Sequence, residues 1–354
     1  MTLVRSTAPI VRIGAARARP GAVAAWLFAV CGLIALMVSV GGVTRLTESG
    51  LSIVEWKPIA GTLPPLSDAA WVREFAAYRA SPQYALANAG MGLAAFKGIF
   101  WWEYAHRLLG RVIGLAFALP LAWFALRRWV PRGYALRLIA LLVLGGMQGG
   151  IGWLMVASGL TPGHTAVEPA MLAAHLLAAM SLFAAVLWTA LDMRALVRAD
   201  GRVAVARPRA WILPMLVLLI MQIGLGAFTA GLHAGHASDS WPLMAGALVP
   251  ALADGRWWTD PFTVQFVHRT MAYLVAGAAL LVAWRLSRAG AGWRARAVAL
   301  AVVVQFVLGV ATIVTHVPIA LAAMHQAGAV ALLAATIAMA HWATAPRPVL
   351  VKTV

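Results

Sequence analysis

The chain has 354 residues, of which 62% are hydrophobic and only 11% charged, with a formal net charge of +17 and a mean hydropathy of +0.84. Soluble domains carry about 25% charged residues, so this composition excludes a water-soluble enzyme and places the chain in a membrane. A single cysteine, Cys31, excludes an intramolecular disulfide framework and any multi-cysteine metal site, and reads as a small buried apolar residue.

A hydrocarbon core of about 30 Å needs about 20 apolar helical residues, and eight segments qualify. A tail, 1–21, carries Arg5, Arg12, Arg17 and Arg19 ahead of the first span, 22–43. That basic flank is signal-peptide-like, but the apolar run is too long for an h-region, so the span is read as retained. The long loop 44–104, of mixed charge, leads to spans 105–126 and 135–157, whose connection holds Arg127, Arg128, Arg132 and Arg137. A connection without Lys or Arg, 158–168, precedes the fourth span, 169–191. An Arg-rich linker, 192–209, then opens a second set. Its spans are 210–230, 265–285, 295–315 and 320–343, and a basic tail, 344–354, closes the chain. Loop 231–264 has Arg256 alone, whereas the turn near 285–296 has four arginines. The basic stretches are alternate connections, so the excess charge is an orientation signal and not a nucleic-acid footprint. Both termini are expected on the cytoplasmic side and the two long loops outside. Trp101, Trp102, Trp257 and Trp258 mark the outer boundary.

The two sets of four spans echo each other. Trp101 to Arg107, with His106, is loosely repeated by Val264 to Arg269, with His268. Gln148-Gly149-Gly150-Ile151-Gly152 matches Gln305-Phe306-Val307-Leu308-Gly309, and His175-Leu176 matches His325-Gln326. Gly41-Gly42-Val43-Thr44-Arg45 resembles Gly224 to Thr229. An even number of spans per set makes this a parallel repeat about an axis along the membrane normal. The expected fold is an all-α polytopic membrane protein: two fused, pseudo-twofold-related four-helix bundles, 22–191 and 210–343.

Ionisable residues inside spans are costly and mark function. His106, His175, His268 and His325 lie at matched depths, each about 8 to 10 Å below the outer boundary at about 1.5 Å per residue. They pair as His106 with His175 and His268 with His325. Two neutral imidazoles facing each other in a helix bundle are the pattern that holds heme iron, and Gly110, Gly114, Ala178, Ala272 and Gly328 nearby would leave room for a porphyrin edge. The competing reading is that these are interhelical hydrogen bonders among small packing residues. Glu103, one turn outward from His106, has Val264 or Gln265 as its counterpart. A carboxylate on one side only points to chemistry in the first half, or else to an interfacial ion pair with Arg107 or Arg111. The loop after the first span either caps that half or is ordinary solvated chain. His233 and His236 suit solvent or a propionate; His164, His316 and His341 have no paired counterpart.

The run Gly41-Gly42-Val43-Thr44-Arg45-Leu46-Thr47-Glu48-Ser49-Gly50-Leu51-Ser52, with Trp56-Lys57-Pro58, Pro64-Pro65, Glu103-Tyr104-Ala105-His106-Arg107, His233-Ala234-Gly235-His236 and Trp241-Pro242-Leu243-Met244, resembles the heme A synthase family. The similarity is to the branch shared by alphaproteobacteria and mitochondria, and it covers about residues 23 to 343. It implies a bacterial inner-membrane enzyme in which His268 and His325 hold a resident heme b. His106 and His175 would flank the iron of the substrate, heme O, beside Glu103. The implied reaction oxidises the C8 methyl of heme O to a formyl group by successive hydroxylation. Implied partners are the heme O synthase, a farnesyltransferase, and an electron acceptor the sequence does not identify; a homo-oligomer is left open. A loop cysteine pair found in another bacterial branch has no equivalent here. The alternatives are a di-heme cytochrome relaying electrons from quinone, which does not need Glu103, and a parallel-repeat transporter, which needs a midplane site and broken helices.

Overall fold

The structure, a computed structural model, describes residues 17–57, 59–198, 212–252 and 255–344. Most of the two basic tails and of the linker lie outside those residues. The described chain is helical: α1 (Pro20–Leu46), α2 (Asp68–Arg79), α3 (Pro82–Leu86), α4 (Leu93–Leu126), α5 (Ala135–Gly159), α6 (Pro169–Arg198), α7 (Ile212–Gly231), α8 (Pro261–Arg288), α9 (Trp293–Val314) and α10 (Ile319–Thr344). Eight of these, all but α2 and α3, are long and apolar enough to cross a membrane.

Local sequence explains the helix starts. Proline opens α1, α3 and α8, where its missing N–H removes no helical bond. Asp260 caps α8 by accepting from Thr263 N–H at 2.7 Å, and Ser67 and Ser81 cap α2 and α3 in the same way. Pro120 inside α4 cannot donate to the carbonyl of Ala116. That carbonyl instead accepts from the Trp26 indole N–H of α1 at 2.8 Å, so the break is satisfied from the neighbouring helix.

The long loop is not open chain. Its last part extends α4 outward by twelve residues beyond the expected start at 105, to a helix of 34 residues, about 51 Å. That exceeds a hydrocarbon core, so the added turns stand outside it. Phe96, Phe100 and Tyr104 of α4 pack there with Trp71 and Tyr78 of α2 in a separate aromatic core.

Helix contacts run α1 to α4, α4 to α5, α5 to α6 and α6 back to α1, and again α7 to α8, α8 to α9, α9 to α10 and α10 to α7. The two rings meet where α1 packs on α10, α6 on α7, and α6 on α10. Gln326 of α10 donates to the carbonyl of Val38 of α1 at 2.7 Å across that seam. The main apolar core draws on the helix portions nearest the chain termini: residues 23–38 of α1, 117–124 of α4, 275–286 of α8 and 330–339 of α10, for example. Cys31 is buried there, as expected. The opposite portions, next to the long loops and called outer below, hold the histidines.

Candidate functional site

His106 projects from α4, His175 from α6, His268 from α8 and His325 from α10, all half-buried. Each of the two helix rings therefore carries one of the pairs deduced from the repeat.

Each imidazole lies against a glycine of the adjoining helix. A Cβ on Gly41 of α1 would stand 2.8 Å from His106 Cε1, and one on Gly152 of α5 would stand 2.9 Å from His175 Cε1. In the second ring the corresponding distances are 3.2 Å for Gly226 with His268 and 2.9 Å for Gly309 with His325. Ordinary contact begins at 3.4 Å, so a side chain at any of these four positions would displace the ring. The glycines singled out on the histidines' own helices do not meet the rings, although a Cβ on Gly328 would collide with Gln305 Oε1. Gly114 faces open space and Gly110 faces the Cε of Met37.

Around the first pair, Glu103 is 3% exposed and fully engaged. Its Oε1 is 2.5 Å from Arg107 Nη2, and its Oε2 accepts from Ser52 Oγ at 2.7 Å and from Ile53 N–H at 2.8 Å. Arg107 also donates to the carbonyls of Ile53 and Glu55, Arg111 donates to that of Lys57, and Tyr104 to that of Thr62. The outer loop is thus strapped to α4 by the residues three before, one after and five after His106. Of the alternatives, the loop lies over the first half, and Glu103 makes the ion pair with Arg107 that stood against a chemical role.

The second pair is strapped by the equivalent positions with different chemistry. Gln265, 1% exposed, donates to the carbonyl of Ser238 at 2.8 Å. Arg269 donates to that of Pro242 at 3.2 Å, and Tyr273 Oη accepts from the Trp241 indole at 3.0 Å. Gln265, and not Val264, is the counterpart of Glu103.

At the outer seam Arg45 donates to the carbonyl of Ala230 at 2.8 Å, meets Glu48 at 2.7 Å and lies 2.9 Å from His233 Nε2. His233 is also 2.8 Å from Glu48 Oε1. Burial opposes ionisation of Glu48, but His233 and Arg45 outweigh it and hold the carboxyl below its ordinary range. His236 is exposed. His164 lies at 2.9 Å from Glu168, His316 at 3.6 Å from Asp239 and His341 at 2.9 Å from Asp192, each an ion-pairing geometry remote from the paired sites.

The donor set suits a flat iron macrocycle. Each ring carries two imidazoles on different helices, a glycine lies against each, and the Nδ1 atoms of His106 and His325 are buried without a partner. A family model described as cytochrome oxidase assembly protein matches residues 24–337. A heme A synthase of Sphingopyxis alaskensis is 49% identical over 329 residues, 91% of this chain and 92% of its own length. That of Rhizorhabdus wittichii is 47% identical over 349 residues, 96% and 99% of the two chains. That of a Caulobacter species is 49% identical over 330 residues, 90% and 94%.

Proposed function

This chain belongs to the cytochrome oxidase assembly protein family, and on that premise we propose that it is a heme A synthase: a membrane oxidoreductase that converts the C8 methyl group of heme O to the formyl group of heme A. With water as the oxygen source, the oxidation passes through an alcohol and a hydrated aldehyde that loses water, and each of its two stages releases two protons and passes two electrons to an acceptor outside the chain. The observation that carries the reading is the doubled histidine pair, two imidazoles per ring with a glycine beneath each, joined to a carboxylate in the first ring alone.

In this reading residues 22–191 form the substrate half and 210–343 the resident-heme half, related by a pseudo-twofold axis. His268 and His325 would hold heme b, which when bound would supply an iron centre for electron transfer. His106 and His175 hold the substrate by its iron and so fix the methyl group relative to Glu103. A methyl group is inert to acid–base chemistry alone. Glu103 therefore serves the oxidised stages, stabilising positive charge or taking a proton at the methyl carbon, with Arg107 fixing its direction. The strap of Ser52, Ile53 and Lys57 excludes water from above. The basic connections orient the chain in a bacterial inner membrane with both termini cytoplasmic and the sites toward the outer face. A farnesyltransferase that makes heme O is the natural supplier of substrate.

Expression in a host that makes heme O but no heme A, followed by pigment extraction, tests the assignment. A formyl heme is the expected product. Unaltered heme O, with both hemes bound, would instead mark an electron-relaying cytochrome.

A further inference from the structure

The glycine beneath each imidazole is preceded, one helical turn inward, by a residue of fixed type in three cases out of four. Gln148 precedes Gly152, Gln222 precedes Gly226 and Gln305 precedes Gly309; Met37 precedes Gly41. The spacing of four puts both residues on one helix face, so the glycine clears the ring and the amide reaches it from below. Gln148 Nε2 lies 3.1 Å from His175 Nδ1 and donates to the carbonyl of His175 at 2.8 Å. Gln222 repeats this on His268, at 3.2 Å to Nδ1 and 3.2 Å to the carbonyl. Gln305 approaches His325 Nε2 at 3.5 Å. In all three the amide oxygen is buried with no hydrogen-bond partner, and His106 Nδ1 is likewise without one.

An imidazole that binds iron through Nε2 carries its proton on Nδ1, and a bond from that N–H to an acceptor fixes the tautomer and the ring plane. With the terminal amide turned over, the unpartnered Oε1 of Gln148 or Gln222 becomes such an acceptor, in place of the bond that Nε2 gives to the histidine carbonyl. A thioether at position 37 is a poor acceptor. We propose that Gln148 and Gln222, each at the Nδ1 of its histidine, are positioning residues that lock His175 and His268 as iron ligands, and that Met37 leaves His106, three residues from Glu103, unlocked. The resident heme is then held by the locked imidazole of His268 together with His325. The substrate is held by one locked and one yielding imidazole, as a group that must enter and leave requires. This rests on the assignment of the four histidines to heme.

The test uses full-length protein and reads the bound resident heme, not turnover. Gln222→Met installs the residue that this fold already accepts at position 37. It is expected to weaken heme retention about 10- to 100-fold and to change the low-spin electron paramagnetic resonance signature. Gln222→Glu, which keeps an acceptor, is expected to restore retention and to lower the reduction potential, because a carboxylate makes the imidazole a stronger donor. Conversely, Met37→Gln should slow exchange of ferric heme O from the first half about tenfold under non-turnover conditions. Wild-type retention and spectrum in Gln222→Met would overturn the proposal, provided His268→Ala loses the heme. If His268→Ala keeps it, the heme assignment itself fails.

Discussion

Gly309→Ala is the sharpest probe of the cradle beneath the imidazoles. The added methyl would lie 2.9 Å from His325 Cε1 and 3.5 Å from its Nδ1. Reaching ordinary contact at 3.4 Å means moving the ring by about 0.5 Å, which is the tolerance within which a ligand must be held. Overpacking costs about 1 to 3 kcal/mol, whereas replacing a helical glycine by alanine returns about 0.5 to 1 kcal/mol. The net loss of fold stability therefore lies between about 0 and 2.5 kcal/mol, small enough for the protein to assemble. The displaced ligand should weaken heme retention by at least about tenfold, or 1.4 kcal/mol. Gly226→Ala, with 3.2 Å available, should have a smaller effect, and Gly277→Ala, which meets nothing within 4 Å on the same helix as His268, should have none. Pigment content per protein and the reduced-minus-oxidised spectrum of the three purified variants provide the assay. Equal heme content in Gly309→Ala and Gly277→Ala would refute the reasoning.

His268→Met and His325→Met should each alter the resident heme spectrum, while His106→Met and His175→Met leave it intact and abolish conversion of heme O; an unchanged spectrum in the first two would overturn the assignment. Glu103→Gln should abolish heme A formation with the resident spectrum preserved. Because it strands Arg107 in a buried place, it should also destabilise the outer loop by about 3 kcal/mol, seen as faster proteolysis between residues 44 and 92. Normal heme A formation by this variant would remove Glu103 from the chemistry. For Glu48 the folded-state carboxyl titrates below its ordinary value of 4.5, so the stability it lends the outer seam is complete above that pH and is lost as the pH falls through the lower folded value. Acid should therefore loosen the link among Arg45, Glu48 and His233, and Glu48→Gln should remove the acid dependence of loop protection.

The eight spans were legible because an apolar run of the right length writes itself in local pattern, as do the charge of a connection and an ionisable residue where lipid forbids one. The outer extension of α4 was not. Residues 93–104 mix Lys97, Gly98 and five aromatics, and become helix because α2 covers Phe96 and Phe100, a tertiary cause. The glycines that matter to the imidazoles also escaped, although Gly152 and Gly309 stood in a recognised repeat. Small residues beside a histidine on its own helix are conspicuous in sequence; those across the helix pair are visible only once the helices dock. Arg107 and Arg269 follow their histidines directly, yet nothing local says that their guanidinium groups reach backbone carbonyls of distant loops.

The contact between α1 and α10 also dictates an order of construction. Gln326 is made 288 residues after the Val38 carbonyl to which it bonds. At about 5 to 20 residues per second, synthesis separates the two by about 15 to 60 s. All partners of the ring α1, α4, α5 and α6 are present well before that, so the first ring can close while the second is still being made. The face of α1 around Gly42, where Gln326 leaves no space for a side chain, stays open to lipid until the last helix arrives. The final span is thus the closing stave of the second ring, and a chain truncated before it would leave the seam packed only where α6 lies on α7.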